Sequence, residues 1–380
     1  MESYLDGAVS HAIARGEYLL SLIPTTLSRE FHALAQKCTD EITATIASLK
    51  KIQTQQDPDK LPERYRAYCR GIRDLESFEL VAISALNRSN KSDRRISRLI
   101  DSIRFEIRHP LPVSPAVISL SPDYFEIHTD LNLLRVPLSE ENFLLHLPDL
   151  YHEVAHPLLV QDNFYPQVKP FKKALMQSYS RVVSYLQSNV EKSALRRESE
   201  AFRYPLAIWN RCWAEGWLVE FFCDIYAVCT IGPAYGWSHL HLCARKSEAL
   251  FEVPLHIPYS HPSDDARMRV ILLTLDRLGF SEKAERIQDK WENFIRLRGE
   301  TAEPEYHFCY PRKLLGSITD DAVEAIDSMG VRLATPSTND FIHVVLNRAW
   351  EEFWRDPRAY VGWEKQAVEK LREHSSKVID

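Results

Sequence analysis

Glycine is scarce in this chain, 11 among 380 residues, and none of it is gathered into a G-x-x-x-x-G-K-[ST] loop, a G-x-G-x-x-G turn or a G-x-S-x-G elbow. Nucleotide binding and serine-hydrolase chemistry of the common kinds are therefore not expected. There is no C-x-x-C pair either. The seven cysteines (Cys38, Cys69, Cys212, Cys223, Cys229, Cys243 and Cys309) are odd in number and scattered. That excludes a zinc ribbon, and it suits reduced thiols in a cytosol better than a disulfide framework. An excess of positive charge is missing too: 47 Lys and Arg against 53 Asp and Glu leave a net −6 with the signs interspersed. General nucleic-acid binding is not expected of such a surface. Long uncharged runs are absent as well. The most apolar window, Trp217 to Gly232, carries Glu220 and Asp224 and falls short of the roughly 20 residues of a membrane span. The N-terminus has acidic residues where a signal peptide needs a basic region, so the expected protein is cytoplasmic and has no membrane span.

What remains is an ordinary globular composition, 45% hydrophobic, long enough for one large domain or two to three smaller ones. Apolar residues recur every three or four positions through residues 1–108 and again from 276 onward, the pattern of helices packed by one face. Between them, from His109-Pro110 to Pro137, short apolar runs separated by Ser-Pro-Asp and Asp-Leu-Asn predict two or three strands in a small meander. A helix is expected to start at Ser139-Glu140-Glu141, and another at Pro148. A long helix is expected from about Pro205 to Thr230, stopped by Gly232-Pro233. The reading is α+β, predominantly helical: an N-terminal helical region 1–108, a core 109–275 and a C-terminal helical region 276–380.

Within that core stands His152-Glu153-Val154-Ala155-His156. Residues four apart share a helix face, so two imidazoles at this spacing can reach one metal ion while Glu153, about 100° around, faces water on that ion. A bound cation lowers the pKa of water from about 15.7 towards 7, and a neighbouring carboxylate can take its proton. Chance alone yields the pattern in roughly 0.04 chains of this composition, so context has to decide. Pro157 follows the second histidine directly. Since proline clashes with the carbonyl four residues back, the helix should kink or stop near His156.

A third ligand is expected downstream. Glu220 and Asp224, four apart in an otherwise apolar helix, would be two like charges in a core. A metal on Glu220, with Asp224 accepting the outer ring N–H of a ligand histidine, resolves that cost. The plainer alternative is that both cap an Arg or Lys of another element. Glu215 is the substitute ligand if the register differs. HEVAH, then EFFCD 64 residues after the second histidine, then His261-Pro262 with Arg267 five residues further on, resembles the HExxH, ExxxD and HPxxxxR order of the gluzincin metallopeptidases, nearest the CAAX prenyl endopeptidase group. The resemblance spans residues 140–275 and implies a zincin-like core with a small sheet and a Zn2+ ion held by His152, His156 and Glu220. It implies Glu153 as general base, Asp224 behind the ligands, His261 near the oxyanion, and a protein or peptide substrate. Pro157 and the missing membrane spans depart from the group.

Other residues have plainer readings. His261 sits where Ser263, Asp264 and Asp265 would begin a helix. Tyr235 and Tyr259 are alternative oxyanion donors. His239 and His241, alternating as on a strand or tight turn, are surrogate ligands, with His146 and His128 behind them. Trp209, Trp213 and Trp217, like Trp350 and Trp354, recur at core-stripe spacing. The competing functions are a non-catalytic helical interaction protein with a structural metal, and a zinc hydrolase of a small amide.

Overall fold

Helices built on the three- and four-residue apolar repeat make up most of the chain, in a computed structural model that describes residues 2–54, 60–88, 91–112, 115–119, 125–137, 140–195, 203–245 and 249–377. Helices α1 (Glu2–Ser21), α2 (His32–Thr54), α3 (Leu61–Ser77) and the short α4 (Ser84–Arg88) pack their apolar stripes into one core, with Val9, Phe31, Ile42, Leu49 and Leu75 at its centre. Helix α5 (Lys91–Ile107) turns Ile96, Ile100 and Ile103 the other way, into the larger core that holds the rest of the molecule. The capping residue Ser139 and the segments 55–59 and 196–202 lie outside the described residues; the polar, proline-bearing stretch 53–63, read from sequence as a loop between helices, has its two ends inside α2 and α3.

Three strands follow α5: β1 (Ala116–Ser119), β2 (Glu126–His128) and β3 (Leu133–Pro137). Their order is β1-β3-β2, with β3 antiparallel to β2 but parallel to β1, Ala116 opposite Leu134. The expected meander is therefore corrected to a mixed sheet. Ser97 on α5 explains part of this, for its hydroxyl hydrogen-bonds both the N–H and the C=O of Ala116 and fixes β1 against the helix.

The next pair is α6 (Asp149–Glu153) and α7 (His156–Val160), one helical run interrupted at Val154-Ala155. Pro157 has no N–H to give the Glu153 carbonyl, so the ladder breaks there, as expected. The break is mild. Val154 and Ala155 keep right-handed helical angles, and Ala155 N–H bonds the His152 carbonyl one residue closer than an α-helix would, at 3.0 Å.

Helix α8 (Lys169–Leu195) leads to α9 (Arg203–Cys212), a π-helical turn (Trp213–Trp217) and α10 (Leu218–Ile231), which together form the expected long helix. Every residue of α10 except Val219 is buried, which makes it the central element, packed by α6, α8, α12 (Asp264–Arg277) and α15 (Arg312–Ser328). Each buried Phe, Leu or Ile there stabilises the fold by about 1.5–3 kcal/mol. Gly232, at φ 71°, closes α10 with its N–H on the Val228 carbonyl, and Pro233 opens α11 (Pro233–Arg245). Helices α13 (Ser281–Arg298), α14 (Pro304–Cys309), α16 (Phe341–Arg355) and α17 (Tyr360–Lys377) complete the larger core. Trp209, Trp213, Trp217 and Trp350 are fully buried in it, the core role their spacing predicted.

Candidate metal centre

The two charged residues of α10 are Glu220, which faces His152 of α6 and His156 of α7, and Asp224, which faces His152. The Nε2 atoms of His152 and His156 approach to 3.2 Å, and Glu220 Oε2 lies 3.3 Å from Nε2 of His152, with Oε1 3.9 Å from that of His156. Three donors at a tetrahedral ion with bonds of about 2.0–2.1 Å are spaced about 3.3–3.4 Å apart. The residues therefore fit a zinc-sized cation. Two imidazole nitrogens and a carboxylate aimed at one point is a costly arrangement without a positive charge between them.

Behind these three candidate ligands is a second layer. His152 turns Nδ1 away from the pair, 2.9 Å from Oδ1 of Asp224 and 3.0 Å from the hydroxyl of Tyr235, which itself donates to Asp224 at 2.6 Å. With Asp224 ionised, Nδ1 carries the proton and Nε2 is left for a metal. Arg267 on α12 clamps Asp224 from the other side through Nε at 2.9 Å and Nη2 at 2.6 Å. The plainer reading of the acid pair is thus realised for Asp224. It does not account for Glu220, which lies no nearer than 3.9 Å to Arg267.

The electrostatics agree. Burial opposes ionisation of Asp224, but the Arg267 charge and hydrogen bonds hold its carboxyl far below the usual carboxylate range. Burial likewise opposes the charge of Glu220, yet the hydrogen bond and charge of His152, with Arg267, bring it down to about 2. For His152 burial works against the proton, while Asp224 and Glu220 raise it to about 10. In the metal-free chain that proton supplies the positive charge the pocket demands. His156 goes the other way, lowered to about 4 by burial and by the His152 charge. Glu153 still reaches solvent in part, but loss of hydration pushes its carboxyl up to about 8, with Glu220 and Asp149 adding to the rise.

His261 comes from the loop before α12. Its Nε2 lies 3.7 Å from Oε2 of Glu220, with the ring 65% exposed, so the centre is open on this side. Ser263 caps α12, accepting from the N–H of Ala266, with Asp264 and Asp265 in the first turn, as the plainer reading of this segment expected. The loop reaches the site because of Gly216. A Cβ there would stand 2.1 Å from the carbonyl oxygen of Ser260, the residue whose hydroxyl bonds Nδ1 of His261 at 2.9 Å.

His152, His156, Glu220, Asp224 and His261 are thus brought together, with Glu153 next to His152 in the chain. Other expectations are corrected. Tyr235 is 2% exposed and spent on Asp224, so it is not placed to meet an oxyanion, and Tyr259 bonds Glu252. His239 and His241 lie on a helix, since Pro233 at the first turn of α11 starts one there, and face opposite sides, His239 towards Trp291 and His241 towards Trp350. Neither joins the centre. His146 pairs with Glu140 at 3.1 Å, His128 with Glu126 at 3.8 Å, and Glu215 is an exposed partner of Arg211. Missed in the sequence was Cys223, whose sulfur lies within 4.8 Å of the ligand nitrogens of His152 and His156. It is fully buried, and burial together with Glu220 and Asp224 pushes its thiol well above the usual range.

A cavity of ≈ 620 Å³ bounded by Arg94, Leu99, Leu144, Val368 and Arg372 includes none of these residues. None of the cysteines is disulfide-bonded, and no described helix is long and apolar enough to cross a membrane. Compared with protein-family models, characterised proteins and solved structures, the chain matches none.

Proposed function

We propose that the chain is a zinc-dependent peptidase of the HExxH gluzincin type, with a zincin-like core in which His152, His156 and Glu220 hold the metal. The observation that carries this reading is the spacing of the three donors, 3.2 and 3.3 Å about His152, joined to the Asp224 partner on the outer nitrogen of the same histidine. When bound, the cation supplies Lewis acidity and lowers the pKa of water towards about 7. Glu153, with a carboxyl already raised in affinity for a proton, takes the proton of the attacking water and returns it to the leaving amine. His261, on the open side, donates to the oxyanion that develops there. Asp224, Tyr235 and Arg267 hold the His152 ring in its ligating tautomer.

A polypeptide substrate suits the open face between His156 and His261. It also suits the neighbourhood of the edge strand β2, for Gln161, just past α7, donates to the carbonyl of Thr129, just past β2, at 3.4 Å. Extended chains can add to such an edge. The test is hydrolysis of an unfolded protein such as reduced casein by the zinc-loaded chain and by Glu153→Gln. The variant is expected to keep its metal and lose activity by about 10²–10⁴-fold; equal rates with equal metal would remove Glu153 as the base.

The position of Cys223 favours one other reading, a closed structural site with four protein ligands and no reaction. Under it Glu153→Gln would change nothing, and Cys223→Ser would release the metal.

A further inference from the structure

Helices α11 and α12 meet at a second group of metal-binding side chains, separate from the first. His239 and Cys243 are four residues apart on α11 and so share a face. Asp264 stands opposite, at the first turn of α12. A ring nitrogen of His239, the sulfur of Cys243 and a carboxylate oxygen of Asp264 all lie within 4.8 Å of one another. The sulfur is 3.7 Å from Nε2 of His239, and the backbone carbonyl oxygen of Asp264 is 3.0 Å from the same nitrogen. At a tetrahedral zinc, with Zn–N of about 2.0 Å and Zn–S of about 2.3 Å, nitrogen and sulfur are about 3.5 Å apart. His239 and Cys243 are both 2% exposed, so no solvent competes for them.

We infer that His239, Cys243 and Asp264 form a second zinc site, structural in kind, that clasps α11 to α12. One nitrogen, one thiolate sulfur and one carboxylate oxygen are the donors zinc takes. The Asp264 carbonyl oxygen beside Nε2 of His239 is available as a fourth donor, and with His239 and Cys243 buried the site is closed to substrate. On binding, the Cys243 thiol gives up its proton, which leaves with a water shed by the incoming zinc ion, and His239 takes the tautomer with its proton on Nδ1. The ring is already oriented by Trp291, whose centroid lies 6.0 Å away. The clasp has a consequence for the first centre: α11 carries Tyr235 and α12 carries Arg267, the two residues that hold Asp224. Zinc between the helices fixes that pair.

The inference does not depend on peptidase activity, and metal counting tests it. The full-length protein, loaded with zinc and freed of excess by gel filtration, is expected to hold two equivalents, and His156→Ala and Cys243→Ala one each. A single equivalent in the wild type, lost in His156→Ala and unchanged in Cys243→Ala, overturns the second site. Should Cys243→Ala fail to fold, X-ray absorption of zinc-loaded His156→Ala decides. A sulfur neighbour at about 2.3 Å that persists when Cys223→Ser is added supports the site, and a sulfur-free shell or no retained zinc overturns it.

Discussion

Tyr235 donates its hydroxyl hydrogen to Oδ1 of Asp224 at 2.6 Å, and the same carboxylate oxygen stands 2.9 Å from Nδ1 of His152. One buried phenol thus sets the carboxylate that sets the ligand. Tyr235→Phe keeps the ring and removes the bond. Partners of this kind behind a metal ligand are worth about 10–100-fold in affinity. Competition with a fluorescent zinc chelator is expected to show a loss in that range, with the circular dichroism spectrum unchanged. Undiminished affinity would mean that Arg267 alone secures Asp224.

Gly216 lets the Ser260 carbonyl pass where a methyl group would stand at 2.1 Å. The backbone oxygen cannot rotate out of the way as a flexible side chain would. Gly216→Ala must therefore push the 260–261 loop off the π-helical turn and carry His261 from Glu220. The expected result is a stability loss of about 1–3 kcal/mol in urea denaturation, with peptide hydrolysis falling more than zinc content. Wild-type activity in this variant would detach His261 from the reaction.

The buried histidines outside the centre give the fold an acid limit. Burial holds His343 at about 4 and His109 at about 3, against about 6.5 in an unfolded chain. Between those values the unfolded state binds protons that the folded state refuses. Their contribution to stability is therefore complete above pH 6.5 and is lost as the pH falls towards the folded values. Each histidine removes at most about 1.4 kcal/mol per pH unit in that window. Urea denaturation of the metal-free protein at pH 7 and pH 5 is expected to show this decline, and His343→Gln to show a shallower one. An identical slope in the variant would deny His343 its part.

Much of the cluster could be read in the sequence because residues four apart on a helix share a face. His152 and His156 must share one turn, and so must Glu220 and Asp224, which makes each pair visible within five residues. The break at Pro157 was equally local. What the sequence did not reveal depends on contacts between distant elements. Arg267 meets Asp224 from 43 positions away, and only the packing of α10 on α12 tells which of 47 basic residues fills that place. Tyr235 was noticed and given the wrong task, since its facing depends on where α11 begins. The parallel pairing of β1 with β3 left no trace in the alternation of either strand. Gly216 carries no signal of its own in the sequence, and its role as a point of close approach depends on the loop at Ser260.

The central claim is that His152, His156 and Glu220 hold one zinc ion. An anomalous difference map at the zinc edge, from crystals of the full chain grown with zinc, tests it most directly. The account predicts a peak about 2.0–2.2 Å from Nε2 of His152, Nε2 of His156 and the Glu220 carboxylate. No peak between the two histidines, or one bonded to Cys223 with Glu220 turned away, would contradict it.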